Sequence, residues 1–397
     1  MRFWVGGYGA DGGGSADGIG AVRAGASDDP LAGGDLAYGG TAVRAPSPSW
    51  IAPHPTLEVV YAAQEHAGTV AAFVRTGAES FAPWGDAVDA GAQVCHVAVA
   101  PDGAALLASC WGDGRVVRYP LHVDGRIGAP RVAAAAADPY DEPDGLGDAV
   151  AAELIGLGDL AGMGAFTAIG DLPLLGGATD PAAASTGTEA GETARTSRAH
   201  QARFLPGGVI ATTDVGYDLV RFWAVSGGEL HETQRVVLPR GAGPRHTVWH
   251  PSGHLYVVTE ASLEVFVLTA DRTAPLDRRW RVVSSAPLGA GVLVGTDAAA
   301  EIALTRDAGA VLVGVRGSDT IATLRVAGGG ERLAAVALVE SGVRWPRHHT
   351  VQRDTVLVAG QHSDEIVSLS LDERTGVPGR VRRRVAVPTP THIRSAR

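Results

Sequence analysis

Four polar residues stand at the open ends of apolar runs and could act together. Arg245 lies near the start of GPRHTVWHPSGHLYVVTE (243–260), and Glu260 closes it. His200 lies near the start of AHQARFLPGG (199–208), and Arg316 ends AVLVGVR (310–316). A carboxylate such as Glu260 can take a proton from water, or from a substrate carbon or hydroxyl. An imidazole such as His200 can serve as acid or base near neutral pH. Guanidinium groups can grip a carboxylate or phosphate through paired hydrogen bonds and stabilise an oxyanion. Structural roles compete with each of these: a salt bridge from Arg245 to Glu260, a hydrogen bond from His200 to Asp214, and arginines that brace loops.

The elements that would position these residues are hairpins. In each, a polar motif starts a strand, a Pro-x-Gly turn reverses it, and a second apolar strand ends on a polar residue. Cognate pieces are CHVAVAPDG at 95–103 and PRHHTV at 346–351, with looser copies from Ser47 and Ala299. In a regular antiparallel pair, residues equidistant from the turn face each other. That rule sets Arg245 opposite Glu260, His200 opposite Asp214, Cys95 opposite Cys110, and Arg347 next to Gln361. All of them fall at the end away from the turn, so stacking the hairpins would bring them to one concave mouth. Glu65 and Gln361 could contact hydroxyls of a sugar-like ligand, and His96, Asp214, His246 and Arg347 flank the same face as candidate substrate contacts. His348 and His349 are adjacent on a strand and point to opposite faces, so they cannot both easily hold one ion. No set of ligands has metal spacing, and neither a metal nor an organic cofactor is expected.

The hairpins begin near 48, 94, 198, 244, 299 and 345. Most of these gaps suit the roughly 40–50 residues of a four-stranded propeller blade. The first strands of the chain, RFWVGGYG, GIGAVRAG and LAYGGTAV, lack an inner partner, which Thr389–Ser395 can supply. The expected fold is all-β: a seven-bladed β-propeller of four-stranded antiparallel blades, closed by the C-terminal strand joining the N-terminal blade. The whole chain, 1–397, then forms one propeller domain interrupted at about 134–196, between the third and fourth blades.

Composition narrows the classes. The 397 residues contain 54 glycines, as many tight turns require, and 45% are hydrophobic. All 33 basic residues are arginine, which excludes lysine Schiff bases and a Walker A phosphate loop. No basic surface suggests nucleic acid, and no apolar run approaches the ~18 residues of a membrane span. The opening MRFWVGGYGADGGG lacks a signal-peptide stretch, and the two cysteines give no disulfide framework. A cytoplasmic protein with two thiols is expected. Oligomeric state is not written in these features, and a monomer is the simpler expectation.

With CHVAVAPDG, AHQARFLPGG, GPRHTVWHPSGHLYVVTE, PRHHTV and GQHSDEI, and with Pro-Ser and His-Pro framing 48–55, the chain resembles the lactonase family of seven-bladed propellers. That family includes 6-phosphogluconolactonases and carboxy-cis,cis-muconate cyclases. The resemblance implies a proposed catalytic set at His200, Arg245, Glu260 and Arg316, and hydrolysis of a small-molecule, sugar-acid-type lactone. Ring closure of a muconate type would use the same groups in reverse. A non-catalytic propeller binding a ligand or a protein is the rival class, because fold alone does not settle function. Departures from the family pattern are Arg198-Ala199-His200 where His-x-His is common, and Cys110-Trp111 where Asn-Tyr is common.

The interruption is acidic. Residues 134–196 hold eleven Asp and Glu against Arg195 alone, so the remainder balances and the segment carries the whole net charge of −10. It enters just before His200. A partial lid is expected there, with Met163 and Phe166 among its apolar contacts. An acidic lid would repel a phosphorylated lactone and favour a neutral or monoanionic one.

Overall fold

The computed structural model describes residues 1–26, 31–141 and 194–396. Seven antiparallel sheets form a closed ring. Six have four strands, and the second has a fifth short strand, Val88–Asp89. The C-terminal strand Pro390–Ser395 pairs with Arg2–Gly7 and supplies the inner strand of blade 1, as expected from the unpaired N-terminal strands. The other inner strands, blades 2 to 7 in order, are Pro48–Pro53, Val94–Val99, Ala199–Phe204, Pro244–Trp249, Ala298–Leu304 and Pro346–Gln352. Pairing the last strand with the first leaves no open sheet edge at the seam.

The second strand of each blade shows why the sequence reads as it does. Ala105–Cys110, Ala310–Arg316 and Thr355–Gly360 are buried at every residue. Each lies between two neighbouring blades, so both faces need apolar side chains and the run is continuous rather than alternating. Tyr61, Leu106 and Tyr119 share one such inter-blade core, and Tyr256, Val265 and Val313 share another. Complete burial of a side chain such as Leu106 stabilises by about 1.5–3 kcal/mol. Inter-blade packing is thus the main cohesive term.

The inner hairpins carry one repeated irregularity. In all seven blades the pairing of the first two strands shifts register near the open end, for example between Pro244 and Thr247 and between Ala199 and Ala202. Such a bulge places two residues against one and turns consecutive side chains to the same side. It corrects the regular pairing expected from the turns. Asp214 faces Ala199 and Cys110 faces Val94, each one residue away from the expected partner, and Thr259 faces Pro244, two residues away from it.

Both roots of the acidic segment are described. Arg195 pairs with Asp138 and Asp218, and the Tyr140 hydroxyl donates to Leu238 O at 2.6 Å. The expected lid, with Met163 and Phe166, lies outside the described residues. Among the described residues no helix is long and apolar enough to cross a membrane.

Candidate active site

The bulges decide what reaches the central channel. Because each turns two neighbours inward, three tiers of side chains line it. Matching the registers of the seven hairpins puts Tyr8, Glu65, Glu260, Arg316 and Gln361 at equivalent positions at or just past the end of the second strand. Below them come Ser49, Cys95, His200, Arg245 and Arg347, and below those Trp50, His96, Gln201, His246, Glu301, His348 and His392.

The expected ion pair forms despite the shifted register. Glu260 Oε2 lies 2.9 Å from Arg245 Nε and 2.9 Å from Arg316 Nη2. Arg316 also donates to the carbonyls of Ala298 and Ala299, at 3.3 and 2.9 Å, and its guanidinium sits 5.4 Å from the Trp345 ring. Its donors are largely consumed in bracing blade 6. Arg245 differs: its Nη1 is buried with no protein partner, and its Nε is close to Glu260 without hydrogen-bond alignment. Burial, and then the Arg316 charge, bring Arg245 down to about 10.

A second network links blades 7, 1 and 2. Arg347 donates to Gln361 Oε1 at 3.2 Å and to the Tyr8 hydroxyl at 2.7 Å, and Tyr8 donates to Glu65 Oε1 at 2.8 Å. Glu65 Oε2 remains buried without a protein partner. Arg347 beside Gln361 matches the arrangement read from the hairpin. Tyr8 carries no motif and follows a strand whose inner partner is some 380 residues away in sequence, so the hairpins gave no signal for it.

His200 lines this cavity, but not with Asp214. Asp214 accepts from Ser197 Oγ and from the backbone N–H of Arg198, Gly216 and Tyr217, and so ties the loop between blades 3 and 4. The bulge places Ala199 across from it and swings His200 toward the channel, leaving Nδ1 buried and unpartnered. Burial, with the Arg245 charge next, holds His200 well below the ordinary imidazole range, so it is neutral at pH 7.

His246 is the more informative histidine. Its Nδ1 lies 2.7 Å from Glu301 Oε2, while its Nε2 is buried with no protein partner. The rings of His200 and His246 are 4.9 Å apart. Burial and the Arg245 charge keep His246 neutral as well. An ionised carboxylate only accepts, so neutral His246 carries its proton on Nδ1 and presents a lone pair at Nε2. Glu301 escaped the sequence reading because it sits in AAEIALT, a looser copy of the hairpin. Its equivalence to His96 and His246 was the only available signal.

His96 packs against Trp50, 4.5 Å between ring centroids, and Trp50 stacks on His392 at 3.9 Å. This group, with His348, closes the channel like a septum. On one side, at the open end of the hairpins, Glu65, Cys95, His200, Arg245, His246 and Arg347 surround a cavity with about 10 Å³ of room for the centre of a water molecule. That is space for a single water. Cys95 is a buried thiol whose S–H points to the His200 carbonyl at 3.4 Å, and burial pushes its pKa well up, so it is a poor nucleophile. Both cysteines are free, as expected. No His, Cys, Asp and Glu group suited to a metal occurs among the described residues.

The ring of seven four-stranded blades around a polar, partly plugged channel defines a seven-bladed β-propeller with a candidate site at one mouth. The sequence profile described as "Lactonase, 7-bladed beta-propeller" matches residues 2–149 and 163–395, and the chain belongs to that family. A 6-phosphogluconolactonase of Bacillus subtilis (strain 168) is 30% identical over 216 residues, 53% of this chain and 61% of that protein. An uncharacterized Lactococcus lactis protein is 27% identical over 184 residues, 45% of this chain and 53% of its own. The matched region thus spans only about half to three-fifths of these relatives. Among solved structures, a Lactobacillus plantarum protein superposes with a TM-score of 0.76 at 19% identity, covering 99% of this chain and 98% of its own. A periplasmic gluconolactonase of Pseudomonas aeruginosa gives 0.74 at 18%, with the same coverage. These two likenesses concern the fold.

Proposed function

We propose that the protein hydrolyses a small lactone at the mouth bounded by Arg245, His200 and His246. One observation carries this reading. Among the described residues, six buried polar atoms without hydrogen-bond partners, Ser49 Oγ, Glu65 Oε2, His200 Nδ1, Arg245 Nε and Nη1, and His246 Nε2, belong to residues lining one water-sized cavity. Buried polar groups are almost always paired, so such a cluster of two neutral bases, a cationic donor and an acceptor calls for a polar ligand.

The cavity admits a water but not a lactone ring, so the ring lies above it with its carbonyl directed inward. His246 Nε2, held in the accepting tautomer by Glu301, takes a proton as the water oxygen attacks the lactone carbonyl carbon. The carbonyl oxygen becomes an oxyanion facing Arg245 Nη1. As the tetrahedral intermediate collapses, the ring C–O bond breaks. The leaving alkoxide takes a proton through the neighbouring imidazoles, giving a hydroxy acid and restoring neutral His246. Glu65 Oε2 would accept from a substrate hydroxyl. Glu260 and Arg316 act mainly to fix Arg245, since Oε2 of Glu260 is shared between two guanidiniums. This moves the base from Glu260 or His200, the sequence-level candidates, toward His246. The net negative charge of residues 134–196, which precede His200 in the chain, supports a lactone without a phosphate.

A panel of phosphorylated and unphosphorylated sugar lactones, run with wild type and Arg245→Ala, tests the reading. Turnover should fall at least about 10²-fold in the variant, the typical effect of removing an oxyanion donor. A folded wild-type protein that opens no lactone on the panel would refute it.

A further inference from the structure

Past Trp50, the channel widens at the turn end of the inner strands into a second chamber with about 660 Å³ of room. Its walls include Arg203, Arg394, His96, His348, His349 and Glu301. Trp50 belongs to both chambers, whereas Arg203 and Arg394 face only this one. The chamber is cationic in an acidic protein. Among the described residues, Glu301 is the single carboxylate that lines it, and its Oε2 is already engaged by His246 at 2.7 Å and close to His348 Nε2 at 3.6 Å. Arg203 is held in place by two bonds to Thr247, Nε to Oγ1 at 3.0 Å and Nη2 to the carbonyl at 2.6 Å. Its guanidinium is therefore preorganised. His349 Nε2 is buried and unpartnered. Both arginines push His96 toward its neutral form, after burial, and Arg394 does the same to His348 and His392, so the two positive fields converge on the chamber.

We propose that this second chamber binds a small oxyanion, the carboxylate or phosphate group of a metabolite, between Arg203 and Arg394. The planar fork of a guanidinium matches either group, and the volume falls in the range of small-ligand sites. This site is separated from the mouth by Trp50 and does not depend on the lactonase reading.

Calorimetric titration of the full chain at low ionic strength with inorganic phosphate, and separately with citrate, tests the proposal. Wild type should bind at least one of them, and which one identifies the preferred group. Arg394→Gln should weaken that binding about tenfold or more, the effect of losing one charge-assisted hydrogen bond, while Arg245→Gln should leave it unchanged. Arg394 is exposed, so its replacement should fold; circular dichroism verifies this. If it does not fold, Arg394→Lys keeps the charge but loses the fork and should also weaken binding. The proposal is overturned if neither anion binds up to about 10 mM, if the Arg394 variant binds like wild type, or if the Arg245 variant is the one that loses binding.

Discussion

Replacing Glu301 by glutamine is the sharpest probe of the mouth chemistry. The carboxylate accepts at 2.7 Å from His246 Nδ1, which fixes the imidazole tautomer. A glutamine amide of the same size can instead donate to Nδ1, and the proton then moves to Nε2. The lone pair that would deprotonate water is lost while the ring stays in place. General-base catalysis contributes about 10²–10⁴ in rate, which corresponds to roughly 2.7–5.5 kcal/mol of activation free energy. Loss of that step should appear in kcat, with KM nearly unchanged, because Glu301 lines the opposite chamber and not the mouth cavity. Steady-state kinetics on an accepted lactone measures the loss. Nitrogen-15 NMR of the His246 ring reads the tautomer directly, whether or not a substrate has been found. A variant with wild-type kcat, or a His246 that keeps its proton on Nδ1, would refute the reasoning. Inactive wild type with the expected tautomer change would instead sink the lactonase reading and spare the His246–Glu301 pair.

Other expectations follow from the same geometry. Glu260→Ala leaves Arg245 and Arg316 buried without their shared anion, so urea unfolding should report about 3–5 kcal/mol of lost stability; a loss below about 1 kcal/mol would show that the pair is not a keystone. Trp50→Ala removes the septum between the chambers, and the cavity should cost about 3–5 kcal/mol by the same assay. The thiols of Cys95 and Cys110 are buried, and burial raises both pKa values, so a thiol-reactive dye should label neither in the native protein and both after denaturation. Acid should weaken the fold. Burial lowers the native pKa of His96, His200, His246, His348, His349 and His392, to about 4 for His348. Below about pH 6.5 the unfolded chain therefore binds protons that the native state refuses, up to about 1.4 kcal/mol per pH unit for each histidine. Two carboxylates oppose this with opposite sign, Asp218, raised to about 7 by burial, and Glu264, also raised by burial. Calorimetry should show Tm falling from pH 7 to 5, and a flat or rising Tm would contradict this account.

The hairpin repeat was legible because its causes are local. Pro-x-Gly turns and continuous apolar second strands specify blades without reference to the rest of the chain, and the unpaired strands at the two ends implied their own closure. The polar positions at the open ends were also legible, since a buried strand end rich in Arg, His and Glu has few structural uses. Which of them meet was only partly so. Arg245 with Glu260 and Arg347 with Gln361 lie close enough that a register error of one or two residues still leaves them in reach. His200 with Asp214 does not survive that error, because the bulge sends the two side chains to different sides of the strand.

By itself, then, the sequence determined seven blades, their closure and a polar mouth, because these depend on alternation, turns and counting. The tertiary structure decided the rest. A bulge is a property of how two strands pair, and no run of residues announces it. It turns His246 inward beside Arg245 and brings it to Glu301 of the next blade, 55 residues away in the chain. It also stacks Trp50 among four histidines from different blades, which divides the channel into two chambers. Contacts across the axis of a ring join residues that no local pattern relates, so only the closed ring could reveal them.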